Sequence, residues 1–275
     1  MPRFLSSLVL LSLLSTMAAA EELRLLTWNV ESQDSDAQVI ATQLAALSGY
    51  HVYGLTDVDP ARAESYTRAM GGRFASHLTS SGDERRALLL YDTKRLERLS
   101  TEELVSHQSL RLRAPEGGNR APLVTRFRDR PSGIEFLFVL VHLADEHAEL
   151  HREQAEALRL WVEEQRLPVI AMGHYGFAFN YTKLRGNRAF DEHMLDYRWR
   201  WVRPHPLEDT QWTDANGDGK DDDPKTCQDF LYLGAAAYNW SATVQVIKRD
   251  DDFPDSAQKS RNRPIEAVID VRSEK

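Results

Sequence analysis

Apolar and polar positions alternate between two periods along the chain, and the switch between them marks the elements. Leu23 to Val30 is a short apolar run that ends in polar residues and reads as a strand. Asp36 to Leu47 follows with Val39, Ile40, Leu44 and Leu47 at helical spacing. His51 to Val58 reads as a buried strand, a helix runs from Asp59-Pro60 through Met70, and Ala87 to Tyr91 returns to strand. Leu123 to Arg128 and Ile134 to His142 flank a turn at Arg130-Pro131-Ser132-Gly133, which predicts a hairpin. Glu146 to Gln165 is an amphipathic helix, Pro168 to Gly173 a core strand, and Asn187 to Arg200 a further helix. Gln228 to Leu233, Thr243 to Arg249 and Ile265 to Val271 close the chain as strands. Strand and helix alternate from end to end, with no repeat and no Gly- or Ser-rich linker, so residues 21–275 are expected to form one α/β domain.

The first 20 residues break this pattern. Arg3, the apolar run Phe4 to Leu14, and Ala18-Ala19-Ala20 before Glu21 have the three-part layout of a secretory signal peptide. The run is shorter than the ~20 apolar residues that span a bilayer, so export to a secreted or periplasmic location is expected, with no membrane association after cleavage. Removal takes one arginine and no acid from a net charge of −8, leaving −9. That balance disfavours general coating of nucleic acid. Cys227 is the only cysteine, which excludes an intrachain disulfide and leaves packing or bound metal to hold an exported, monomeric domain.

Short polar motifs sit at the ends of the expected strands. They are Thr27-Trp28-Asn29-Val30, Gly54-Leu55-Thr56-Asp57-Val58, Leu90-Tyr91-Asp92, Val141-His142-Leu143, Gly173-His174-Tyr175-Gly176, Asp229-Phe230 and Ser260-Arg261-Asn262-Arg263-Pro264. Their order and spacing resemble the endonuclease/exonuclease/phosphatase superfamily across nearly the whole mature chain. The resemblance implies a four-layer α/β sandwich, two packed and mostly antiparallel sheets flanked by helices. It also implies Mg²⁺- or Mn²⁺-assisted hydrolysis of phosphoesters.

Carried over position by position, the family's first-strand asparagine falls on Asn29 and its metal-binding glutamate on Asp57, which keeps the charge but is one methylene shorter. Either residue on its own also fits a strand-end cap or a surface acid. His142 falls where the family has a histidine that donates to the phosphate; a buried, hydrogen-bonded histidine is the alternative. The family's Gly-Asp-x-Asn reads His174 and Gly176 here, and its Ser-Asp-His reads Ser260-Arg261-Asn262. Gly176 has no side chain to donate, and Asn262 cannot take up a proton at useful pH. Arg261 would compete with Mg²⁺ and hold an anion, or else pair with a nearby acid.

Three functions are compatible with these residues. The leading one is an exported pseudoenzyme that has lost hydrolysis and binds an anionic ligand or a protein partner. The second is a rewired metal-dependent phosphoesterase with His174 as base. The third is a structural module stabilised by calcium: within an insertion at 209–225, Asp214, Asn216, Asp218 and Asp222 occupy positions 1, 3, 5 and 9 of an EF-hand-like loop, with Gly219 at 6, although Lys225 replaces the bidentate acid at 12. An arginine-rich stretch (Arg111, Arg113, Arg120, Arg126, Arg128, Arg130) fits a nucleic-acid groove or, with Phe127 between two of them, the solvent face of a strand.

Overall fold

The runs buried on both sides form the central strands. In the computed structural model, which describes residues 22–104, 120–143, 148–214, 216–222, 225–249 and 260–271, β1 (Leu23–Asn29), β2 (Val52–Val58), β3 (Phe74–Leu78) and β4 (Arg86–Asp92) are joined by α1 (Ala37–Ala46) and α2 (Ala63–Met70). Next come β5 (Leu96–Glu103), β6 (Leu123–Asp129), β7 (Glu135–His142), α3 (Ala148–Glu163), β8 (Val169–Asn180), β9 (Arg185–Gly186) and α4 (Arg188–His193). The chain closes with β10 (Trp199–Trp201), β11 (Thr226–Gly234), β12 (Ala242–Val246) and β13 (Ile265–Ile269). One sheet has the order β12-β13-β1-β2-β4-β3 and the other β10-β11-β8-β7-β6-β5, with β9 paired to β8.

Alternation along each strand builds the layers. Leu25, Leu89, Phe138 and Leu140 point into the core between the sheets. Their neighbours Leu26, Leu88 and Leu90 pack with Ile40, Leu44 and Tyr66 of α1 and α2, while Val139 and Val141 pack with Leu158 and Trp161 of α3. The result is helix, sheet, sheet, helix. Asp36 caps α1 by accepting from the backbone N–H groups of Gln38 (2.8 Å) and Val39 (3.1 Å). Asp36→Ala should cost about 1 kcal/mol in a urea titration.

Among the described residues only two strand pairs are parallel, β1 with β2 and β7 with β8, and each is joined by a crossover helix, α1 or α3. These pairs therefore end together at one end of the sandwich, with Asn29 opposite Thr56 and His142 opposite His174. The motifs holding Asn29, Asp57, His142 and His174 gather there for this reason, whereas Leu90-Tyr91-Asp92 lies at the other end of β2, with Tyr91 opposite Val52.

The expected helix from Asn187 to Arg200 is corrected. It stops after His193, and Asp196 and Tyr197 take left-handed backbone (φ 58° and 54°) before Trp199–Trp201 joins the sheet edge as β10. Trp199 and Trp201 alternate with Arg200 at period two, and pairing to Gly234 and Tyr232 outweighs the helical reading. β3 and β5 were not expected, because half-buried strands with polar outer faces carry a weak apolar signal. Among the arginines, Arg126 and Arg128 do lie on the outer face and pair with Glu135. Arg120 does not, since it is buried against His142, and Arg111 and Arg113 lie outside the described residues, as does the expected signal segment.

Candidate functional site

At the shared end of the parallel pairs lies a polar cleft of about 360 Å³. Asn29, Asp57, His174, Gly176 and Arg261 all line it, so five positions far apart in the sequence converge. Glu31, Asp34 and Arg85, which the motifs did not single out, line it too.

Two of the acids hold strained backbone. Glu31 (φ 43°) follows the end of β1, and Asp57 (φ 58°) sits in a bulge of β2. The carbonyl of Asp57 accepts from Ser32 N at 2.9 Å, which fixes the two turns against each other. The Asn29 side chain is tied to the same turn, accepting from Glu31 N at 3.3 Å.

The cations then occupy the carboxylates. Arg261 donates its backbone N–H to Glu31 (2.5 Å) and places Nη2 3.1 Å from Glu31 and 3.5 Å from Asp34. Arg85 Nε lies 3.7 Å from Asp57. Of the two expectations for Arg261, pairing with a strand-end acid is the one the geometry presents. The neighbouring Asn262 is fully buried and is not among the residues lining the cleft. Its carbonyl accepts from Trp28 Nε1 at 2.7 Å, and its side-chain amide meets no protein partner.

Mg²⁺ demands several oxygen ligands in near-octahedral array. Here Asp57 faces one guanidinium and Glu31 another, and among the described residues no group of three or more His, Cys, Asp and Glu side chains is placed to hold a metal. The donor set of this cleft does not fit the family's metal.

His142, expected either to donate to a phosphate or to be a buried, hydrogen-bonded histidine, is buried and has a protein partner. Arg120 Nη1 lies 2.9 Å from His142 Nε2, and a guanidinium can only donate, so Nε2 accepts and the ring proton sits on Nδ1. Burial, then the charge of Arg120, hold the His142 pKa well below its ordinary value, and the ring is neutral. Nε2 is consequently engaged by protein.

His174 has a different partner. The antiparallel register of β8 and β11 sets Asp229 directly opposite it, just past a register break after Cys227. His174 Nδ1 lies 3.3 Å from Asp229 Oδ1, both side chains are buried, and the second carboxylate oxygen of Asp229 meets no protein partner. His142 stands edge-on to His174 with ring centroids 5.9 Å apart. Asp229 was missed as a site residue although Asp229-Phe230 stood among the motifs; its partner is 55 positions away, and only the strand register joins them.

The acidic loop follows Thr213, which lines the cleft and donates its backbone N–H to Asp221 at 3.1 Å. Asp214 accepts from Asp218 N (3.0 Å) and Gly219 N (2.9 Å), Asn216 donates to Asp222 (2.9 Å), and Asp218 accepts from Lys220 N (3.0 Å). These are turn-forming bonds, and the oxygens do not converge as a calcium cage among the described residues.

No family model matches the sequence, and no curated protein does. Solved structures do match. An endonuclease/exonuclease/phosphatase family protein from Bacteroides thetaiotaomicron superposes with a TM-score of 0.67 at 14% identity, covering 91% of this chain and 98% of that one. A mannosyl-6-phosphatase from the same organism gives 0.63 at 13% identity over 90% and 99%. D. rerio TDP2, solved with a single-strand DNA product, gives 0.65 at 17% identity over 91% and 99%. The chain has the endonuclease/exonuclease/phosphatase fold over about 90% of its length.

Proposed function

We propose that this chain is an exported protein in which the metal-dependent phosphoester hydrolysis of its fold family has been lost and the cleft is kept to bind an anionic, phosphoryl-bearing ligand. The observation that carries this reading is the pairing of Glu31 with Arg261 and of Asp57 with Arg85, where a divalent cation would need those carboxylates. Arg85 and Arg261 are each nearly half exposed, and the contacts to Asp57 and Asp34 are long, at 3.7 and 3.5 Å. Their guanidinium groups are therefore open to a phosphoryl oxygen from the cleft while the carboxylates stay largely buried. Gly176 lines the cleft without a side-chain donor.

The test is turnover of 4-nitrophenyl phosphate and bis(4-nitrophenyl) phosphate by the native chain with and without Mn²⁺, alongside a thermal melt with inorganic phosphate. Mn²⁺ is expected to leave the rate unchanged and phosphate to raise the melting temperature. Mn²⁺-stimulated turnover would sink the reading.

A further inference from the structure

The family's metal chemistry makes no use of a histidine on β8, yet the cleft has one, held by a buried carboxylate. With Nδ1 directed at Asp229, proton exchange between His174 and a ligand in the cleft runs through Nε2. Asp229 is buried on β11 and cannot reach the ligand except through this ring, which makes it a positioning residue. The arrangement has the parts of an oriented general base: a histidine at a polar cleft wall and a carboxylate that fixes its tautomer and stabilises its protonated form. Two cations, Arg85 and Arg261, line the same cleft beside Glu31, Asp34 and Asp57, and their guanidinium groups are the donors there for a phosphoryl oxygen.

We infer that His174, oriented by Asp229, is the general base of a metal-independent hydrolysis of phosphodiesters in this cleft. The inference rests on the proposed binding of a phosphoryl group there and goes beyond it. A water gives a proton to Nε2 of His174 while its oxygen bonds to phosphorus, and the bond from phosphorus to the leaving oxygen breaks. The leaving oxygen takes a proton from a solvent water on the far side of phosphorus, and Nε2 returns its proton to solvent. The products are a phosphomonoester and an alcohol. Arg85 and Arg261 meet the charge on the non-bridging oxygens.

Around His174 stand Asp229 from β11, His142 from β7 and the charged side chains that line the cleft, Glu31, Asp34, Asp57, Arg85 and Arg261. His142 is neutral, and the Asp229 carboxylate lies against His174 Nδ1.

The experiment follows bis(4-nitrophenyl) phosphate with the full chain in EDTA, with circular dichroism to establish folding of each variant. The native chain is expected to turn over, and His174→Gln to lower the rate by about 10²-fold or more. Asp229→Asn should lower kcat with little change in KM, a split that a purely structural role would not produce. Asp229→Glu, which keeps the charge, should restore part of the rate. A folded native chain with no EDTA-resistant turnover overturns the inference, as does a rate indifferent to His174→Gln. Neither result touches the proposed loss of metal-dependent hydrolysis, which fails only if Mn²⁺ stimulates the reaction.

Discussion

A chain carrying His174→Asp, Gly176→Asn, Arg261→Asp and Asn262→His should turn over bis(4-nitrophenyl) phosphate with Mn²⁺ about 10⁴-fold faster than the native chain, as the proposed function requires. Arg261→Asp removes the guanidinium from Glu31 and adds an oxygen donor, so the cleft would offer Glu31, Asp57 and the new aspartate around Asn29, a set that suits a hard divalent cation. Gly176 has φ 67°, a left-handed conformation that asparagine tolerates better than most residues, so the new amide can be installed at modest strain. The new histidine at 262 would enter a site whose present amide has no protein partner, and Asp229, released from position 174, is a candidate to orient it. Mn²⁺ binding by electron paramagnetic resonance and turnover are the two readouts. A folded revertant that binds no Mn²⁺ would show that the scaffold has drifted beyond the four positions.

Gly173→Ala should destabilise the fold by about 3 kcal/mol or more. Gly173 has φ 144°, and a Cβ there would stand 2.1 Å from the carbonyl oxygen of Val141 on the neighbouring β7. Backbone cannot yield as a flexible side chain can. The two parallel strands would have to separate beside His142 and His174, which are opposite each other one residue further on. Chemical denaturation would read the loss as a lower midpoint, and a change below about 1 kcal/mol would show that the strands move apart at little cost.

β1, β2, β7 and β8 were legible because strands buried on both faces are near-continuous apolar runs, and their polar ends stood out against that background. β3 and β5 were not, because each exposes a polar face at or near a sheet edge. Trp199–Trp201 was taken into a helix because aromatic residues fit either period until a partner strand is present. The cleft shows the same division. Asn29, Asp57, His174, Gly176 and Arg261 were found by position in a motif, whereas Glu31 and Arg85 gain their meaning only from the guanidinium or carboxylate that folding brings beside them.

The linear chain by itself determined that apolar runs end in polar motifs and which donors those motifs contain, since composition and period are local properties. Which donor meets which was decided by the tertiary structure. Arg120 reaches His142, Arg261 reaches Glu31, and Asp229 reaches His174 across 22, 230 and 55 positions of sequence. Strand register and buried geometry set those pairings, and neither is written in the spacing of residues along the chain.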